Sequence, residues 1–386
     1  MFKEAVTPAP VDQDQLAESL RDFGKSRMLP RASYVDPAVF VWERRHIFTG
    51  WSCVGFSADL PNPGDQRAID TADGGVLLVR GDDGVVRAFA NVCRHRGHQL
   101  LACGVDVSKR GITCPYHGWT YRLDGSLSVA PRYQHVPDFD TEKFGLVQLP
   151  VADWHGWLFV DASGSSGAFA DVVGDVEQVV APYRHEDLRI LARHDYEVAA
   201  NWKVLVENYQ ECYHCPLIHP ELCRVSPPTS GADLEGETTW MGGWMDLRDD
   251  AATMSLDGRT GGAPIPGLDE VQLRTVMYIV GYPNVLISLH PDYVMTHVLT
   301  PLAADRTRVE CVWAFPGEAV DAPGFDASFA VDFWDLTNRQ DWSACESVQL
   351  GLSSPHAVPG PIGPDETGVH AFVHRVATAY AGHPAS

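Results

Sequence analysis

The chain has 386 residues, and its 29 Lys and Arg against 51 Asp and Glu leave a formal charge of −22. A surface this acidic is repelled by phosphate backbones and anionic lipid, so no nucleic-acid or peripheral-membrane partner is expected. With 45% hydrophobic and 21% charged residues the composition is that of a folded globular protein, and at roughly 100–200 residues per domain the length suggests about two domains.

The stretch from Met1 to Asp14 lacks the basic-then-apolar order of a signal peptide, and no run approaches the roughly 18–20 apolar residues of a spanning helix. A cytoplasmic protein is therefore the expectation. Nine cysteines, an odd number, argue against a disulfide framework and for thiols kept reduced or bound to metal. Residues 1–50 read as an N-terminal segment with helical patches, expected to pack on the C-terminal domain. From Trp51 to Asp161 the texture changes to short β-rich runs such as Gly75–Arg80 and Gly84–Phe89, separated by Gly, Asp and Pro turn signals, which predicts a small all-β domain over 51–161. Ala162 to Gly167, ASGSSG, has linker composition. The remainder, 162–386, mixes two periodicities. A helix is predicted from Trp202 to His214, strands over Val271–Val280, Val285–Thr300 and Arg306–Phe315, and a long helix over Phe325–Leu350. Residues 227–268, rich in Gly, Pro, Asp and Thr, read as a long loop that covers or lines a pocket.

Within the β-rich part, Cys93-Arg94-His95 and Cys114-Pro115-Tyr116-His117 form a C-x-H…C-x-x-H pattern in which each loop offers one thiol and one imidazole. Structural zinc sites usually take their ligands as C-x-x-C and H-x(3–5)-H pairs, whereas a Rieske [2Fe–2S] cluster needs two thiolates on one iron and two imidazoles on the other. The split pattern suits the cluster, with a Cys2His2 zinc knuckle as the lesser reading. The segments NVCRHRGHQLL and GITCPYHGWTYRLDG resemble the Rieske domain of the non-haem iron oxygenases, which assigns Cys93, His95, Cys114 and His117 to the cluster. Cys103 has no ligand spacing. His98 reads as structural, and Arg94 and Arg96 as shaping the loop.

A second constellation follows in NWKVLVENYQECYHCPLIHPE, residues 201–221. Glu207, Glu211 and His214 fall at i, i+4 and i+7 of the predicted helix, along one stripe. Pro216 cannot continue that helix, so the chain can bend and bring His219 back towards His214. Two histidines and a carboxylate on one face of Fe(II), leaving positions open for O2, form the facial triad of non-haem iron oxygenases. By spacing alone Asp335, Asp341 and Glu346 are all eligible as that carboxylate. E-C-Y-H-x(4)-H resembles the mononuclear-iron segment of the same family, where an acidic residue precedes the first histidine by three positions. Glu211 holds that place. Most of the family carries Asp there, and Glu resembles the carnitine, glycine betaine and related quaternary-amine branch. The stretch Asn338 to Glu346 resembles the family's late ligand helix, which makes Asp341 the third metal ligand beside His214 and His219. Glu207 is either a plain helix-face carboxylate or a support for the ligands.

The resemblance implies an α+β chain, with a small all-β Rieske domain inserted before a catalytic domain of antiparallel sheet plus helices, of helix-grip type. It implies a terminal oxygenase component. Electrons from NAD(P)H come through a separate reductase or ferredoxin, since no G-x-G-x-x-G fingerprint is present. They pass through the cluster to a mononuclear Fe(II) that activates O2, and the small-molecule substrate is hydroxylated or N-demethylated. A quaternary amine is favoured; an aromatic ring-hydroxylating dioxygenase alpha subunit is the alternative. A non-catalytic Rieske electron carrier is the reading from another class, and it leaves His214, His219 and Asp341 without purpose. The family's trimer implies a homotrimer or a multiple of three, in which Glu211 accepts hydrogen bonds from His214 and from the partner subunit's His117. Trp240, Met241, Trp244 and Met245, with Tyr278, Tyr282, Leu289 and the run Tyr293–His297, are expected at the pocket. His290 and His297, an odd number apart in one predicted strand, would face opposite sides and not share a metal. The acidic balance calls for a basic docking patch near Arg94, Arg96 and Arg110, or a basic partner.

Overall fold

The run Val76-Leu77-Leu78-Val79 is apolar and buried at four successive positions, the pattern of a strand covered on both faces. The computed structural model describes residues 7–71, 75–234 and 240–382, and in it the chain divides into two compact units. One is Arg44–Phe169; the other takes the chain up to Glu43 and from Ala170 onward.

The first unit is all β. A five-stranded sheet runs in the order Asp106–Ser108, Asp65–Ile69, Val76–Arg80, Val86–Ala90, Gln148–Leu149, beside two three-stranded sheets. Alternation explains the continuous apolar run: Leu77 and Val79 pack with Phe89, Trp119 and Tyr121, while Val76 and Leu78 pack with Leu158 and Val160. Each such buried side chain contributes about 1.5–3 kcal/mol. The second three-stranded sheet, Ile112–Thr113, Thr120–Tyr121 and Leu127–Val129, carries one of the two Cys/His loops at its first turn.

The second unit is built on a seven-stranded antiparallel sheet in the order Leu188–Val198, Arg306–Pro316, Val294–Ala303, Val285–Leu289, Thr275–Gly281, Trp240–Asp246, Ala232–Asp233. Met295, Trp313 and Phe315 from the sheet bury against Ala330, Phe333 and Trp334 of the helix Ser328–Ser353. That packing sets the helix over the sheet and aims its later residues at the helix Trp202–Tyr209. Asn201 caps the latter by accepting from the Lys203 amide at 3.0 Å. Beneath it lies a fully buried ion pair, Lys203 Nζ to Glu43 Oε1 at 2.5 Å. Trp202 Nε1 and the Tyr380 hydroxyl also donate to the Glu43 carboxylate, so the helices Pro37–His46, Trp202–Tyr209 and Thr367–Tyr380 share one polar junction. A buried charge pair needs its remaining groups engaged; the Glu43 carboxylate takes these two further donors, and the Lys203 ammonium lies 5.6 and 5.0 Å from the rings of Tyr34 and Trp202.

The α+β organisation agrees with the sequence reading, and several element bounds differ. The single strand expected over Val285–Thr300 is two strands, because His290-Pro291-Asp292 turns the chain: the His290 amide donates to Tyr293 O, and Asp292 accepts from the hydroxyls of Thr253 and Thr260. His290 and His297 are therefore not in one strand, and the parity argument about them does not apply. The region 227–268 is not one loop; it supplies the strands Ala232–Asp233 and Trp240–Asp246. The strand expected from Val271 begins at Thr275, after a tight turn at Gln272–Arg274. The long helix starts at Ser328, whose amide is taken by the Asp326 carboxylate. Among the described residues no helix is long and apolar enough to cross a membrane.

Candidate functional site

The two Cys/His loops share one backbone design. In each, the cysteine amide donates to the carbonyl five residues on (Cys93 to His98, Cys114 to Trp119, both 2.8 Å), and the glycine amide four residues on returns a bond to the cysteine carbonyl. Those glycines, Gly97 and Gly118, have φ of 70° and 71°, the left-handed region that a side chain opposes. Cys93 and Cys114 are buried side by side; burial pushes the Cys114 thiol up, and its contact with Cys93 adds to this. Tyr121 reaches over them, its hydroxyl 3.3 Å from Cys93 Sγ and accepting from the Arg94 amide at 3.0 Å. The His95 and His117 rings lie 4.7 Å apart, His95 stacked at 5.0 Å on Trp119 and His117 exposed. Two sulfur donors inside and two nitrogen donors outside are the donor set a Rieske cluster requires. All four cysteine and histidine residues expected from the sequence are brought together.

In the second unit, His214, His219 and Asp341 are a group whose ligand atoms lie within 4.8 Å of one another. His214 Nε2 is 3.2 Å from His219 Nε2 and 3.4 Å from Asp341 Oδ1, which is 2.8 Å from His219 Nε2. An ion bound about 2.1 Å from each donor would hold neighbouring donors about 3 Å apart, so the set fits a cation without rearrangement. The far side of each ring is anchored. His214 Nδ1 donates to Glu211 Oε1 at 2.5 Å and His219 Nδ1 donates to Gln340 Oε1 at 2.7 Å, which leaves both Nε2 lone pairs facing the common point. Burial alone would lower the His214 pKa, but hydrogen bonds to Asp341 and Glu211 outweigh it and raise it to about 9. Burial would likewise raise Asp341, yet bonds from both histidines hold it below the usual carboxylate range.

The helix expected to carry Glu207, Glu211 and His214 on one stripe ends at Tyr209. The Glu211 carboxylate accepts from the amides of Tyr213 and His214, at 2.5 and 3.1 Å, and this local capping competes with helix continuation. Glu207 therefore points elsewhere: it is buried and accepts from the Tyr34 hydroxyl at 2.7 Å. His214 precedes and His219 follows a single turn of helix, Cys215–Ile218. Cys212 and Cys215 bracket His214 as a disulfide with Cα atoms 4.9 Å apart, so the reduced-thiol reading fails at this pair; seven cysteines are free. Asp335 is taken by Tyr196, His194 and Arg339, and Glu346 by the Ala199 amide, which leaves Asp341 as the carboxylate beside the histidines. Gln340 was not visible in the sequence, since a glutamine beside an aspartate carries no signal of its own.

A cavity of about 480 Å³ opens over the triad, walled by aromatic rings of Tyr209, Trp244, Tyr278 and Trp334. Met245 also lines it; Trp240 does not, being buried with its Nε1 bonded to Val172 O, Tyr282 is not in the lining, and Met241, Leu289 and the run from Tyr293 to His297 belong to the core instead. Tyr209 and Trp334 come from helices that the sequence predicts, with different ends, without marking these two residues as pocket walls.

Residues 185–382 match the family model described as ring hydroxylating alpha subunit (catalytic domain), and residues 50–140 match the Rieske [2Fe-2S] domain. The chain is 30% identical over 378 residues to a glycine betaine monooxygenase oxygenase subunit of Pseudomonas aeruginosa, covering 89% of this chain and 87% of that protein. Over 194 residues it is 42% identical to a carnitine monooxygenase oxygenase subunit of Acinetobacter baumannii, covering 50% of this chain and 52% of that one. Among solved structures, a quaternary ammonium Rieske monooxygenase aligns with a TM-score of 0.79 at 27% identity, covering 97% of this chain and 100% of that one.

Proposed function

The chain belongs to the ring-hydroxylating oxygenase alpha-subunit family, and from that premise we propose that it oxidises a quaternary ammonium compound at a carbon next to the nitrogen. As an oxygenase subunit with a Rieske [2Fe–2S] domain, it draws electrons from NAD(P)H through a separate reductase. For a trimethylammonium substrate the reaction is R–N(CH3)3⁺ + O2 + NAD(P)H + H⁺ giving R–N(CH3)2CH2OH⁺ + NAD(P)⁺ + H2O. The hydroxymethyl product then loses formaldehyde and a proton to leave the tertiary amine.

The observation that carries this reading is the aromatic wall beside the triad. Tyr209, Trp244, Tyr278 and Trp334 line the cavity, and a desolvated ammonium held over the face of such a ring gains about 0.5–2 kcal/mol. Several rings enclosing one head group hold its C–H bonds near the triad and keep water out. We assign His214, His219 and Asp341 as the ligands of the mononuclear iron, which when bound supplies O2 activation. Gln340 and Glu211 fix the two imidazoles through Nδ1. Cys93, His95, Cys114 and His117 are assigned to the cluster. We read the unit Arg44–Phe169, which contains the expected 51–161, as the electron-carrying domain, and the unit formed by the chain up to Glu43 and from Ala170 onward as the catalytic domain. A homotrimer, in which Glu211 also accepts from the partner subunit's His117, would give electrons a path between subunits. Glu211 is supported in that role by its half-buried position, one oxygen on His214 Nδ1 and the other on two amides.

Reconstitution with a reductase and NAD(P)H tests the reading. Formaldehyde release in step with O2 uptake on a trimethylammonium substrate is the expected result. A cis-diol or phenol from an aromatic substrate, with no amine product, would replace it by the ring-hydroxylating alternative.

A further inference from the structure

The cavity holds a charge pattern that the quaternary-amine reading alone does not demand. Among its described lining residues there is no Lys and no Arg, while four carboxylates are present: Glu211, Asp233, Asp341 and Asp365. Glu211 and Asp341 are engaged with the metal-site histidines. Asp233 and Asp365 are solvent-exposed, and Asp233 accepts from the hydroxyl of Thr367, the first residue of the helix Thr367–Tyr380. Asp365 stands two residues ahead of that helix, so the positive end of its dipole is faced by carboxylates and not left open to an anion. Two further wall groups want a partner: Gln210 Oε1 and the Tyr278 hydroxyl are buried without a hydrogen bond. Gln210 Oε1 only accepts and calls for an O–H or N–H, while the Tyr278 O–H can donate or accept.

Resting on the reading that the substrate is a quaternary amine, we propose that this cavity selects a substrate of net positive charge whose far end is an uncharged hydroxyl or amide, and disfavours zwitterions bearing a carboxylate. The ammonium end takes the aromatic wall. The tail meets Gln210 and Tyr278, and Asp233 and Asp365 repel a carboxylate there while attracting a cation from solution. A zwitterion would have to bring its carboxylate into a cavity whose described lining offers no Lys or Arg side chain to pair with it, at a desolvation cost.

The matched probes are glycine betaine and its amide, which differ only in COO⁻ against CONH2. The iron-loaded enzyme with reductase should show kcat/KM for the amide about tenfold or more above that for the betaine, mostly through KM. Quenching of Trp fluorescence on titration of the enzyme, without turnover, should rank the two in the same order. Asp365→Lys, at an exposed position, should shrink the preference by about threefold, and the wild-type preference should fall with added salt. Equal or better use of glycine betaine by the wild-type enzyme overturns the proposal while leaving quaternary-amine oxidation intact. Tighter binding of the amide with no oxidation of either probe supports the charge selection and removes the oxidation reading. Failure of both probes to bind overturns the two together.

Discussion

Glu207→Gln gives a stability change whose sign reverses common expectation for a carboxylate. Glu207 is buried on the helix Trp202–Tyr209, accepts from the Tyr34 hydroxyl, and has its pKa raised to about 8 from 4.5, chiefly by desolvation, against the lowering effects of Tyr34 and Lys203. The folded state therefore binds a proton that the unfolded chain releases near pH 4.5. Stability from this group is fully present below about pH 4.5 and is lost as pH rises to about 8, at about 1.4 kcal/mol per unit. Between pH 6 and pH 8 that is a loss of about 3 kcal/mol. The amide keeps an acceptor for Tyr34 and cannot ionise. In denaturant titrations followed by a probe in this unit, the stability difference between the Glu207→Gln variant and wild type should move by about 3 kcal/mol in favour of the variant from pH 6 to pH 9. Parallel stability curves for the two proteins across that range would refute the reasoning, because they would mean Glu207 does not titrate there.

Asp341→Ala should lose the mononuclear iron while keeping the visible spectrum of the cluster, read by metal analysis; unchanged iron content would count against the ligand assignment. Gln340→Leu removes the acceptor on His219 Nδ1 and should weaken iron binding about 10–100-fold with the cluster untouched, measured by equilibrium metal titration. Glu211→Ala removes the acceptor on His214 Nδ1 and should weaken iron binding in the same way, but at saturating iron it should in addition uncouple cluster reduction from product formation, and an unchanged single-turnover yield would contradict it. Iron loading of the metal-free protein should release protons and weaken as pH falls below about 9, since His214 must give up its proton; calorimetry in buffers of different ionisation enthalpy counts them.

The metal sites were legible because their chemistry is local. Each cluster loop closes within five residues on its own amides, and Glu211, His214 and His219 lie within one short segment, so residue type and spacing carry most of the geometry. Asp341 was singled out only by resemblance; in space it is the competition for Asp335 and Glu346 by Tyr196 and the Ala199 amide that leaves it free to meet the histidines. The misplaced helix end has an equally local cause, a side chain capping amides that periodicity assigns to the helix. What stayed hidden depends on contacts distant in sequence. Lys203 and Glu43 pair across 160 positions, and Trp240 turns into the core towards Val172 while Trp244, four residues on, reaches the cavity. Hydrophobicity marks the two tryptophans alike and one strand carries both, so only their contacts with distant segments separate wall from core.

A single turnover without reductase tests the coupling of cluster to iron site most directly. Enzyme carrying a reduced cluster and mononuclear iron is mixed with O2 and a trimethylammonium substrate, and cluster oxidation is followed optically alongside formaldehyde and tertiary amine. Amine product appearing in step with cluster oxidation, and only when substrate is present, is the predicted result. Cluster oxidation at the same rate with no amine product would contradict it.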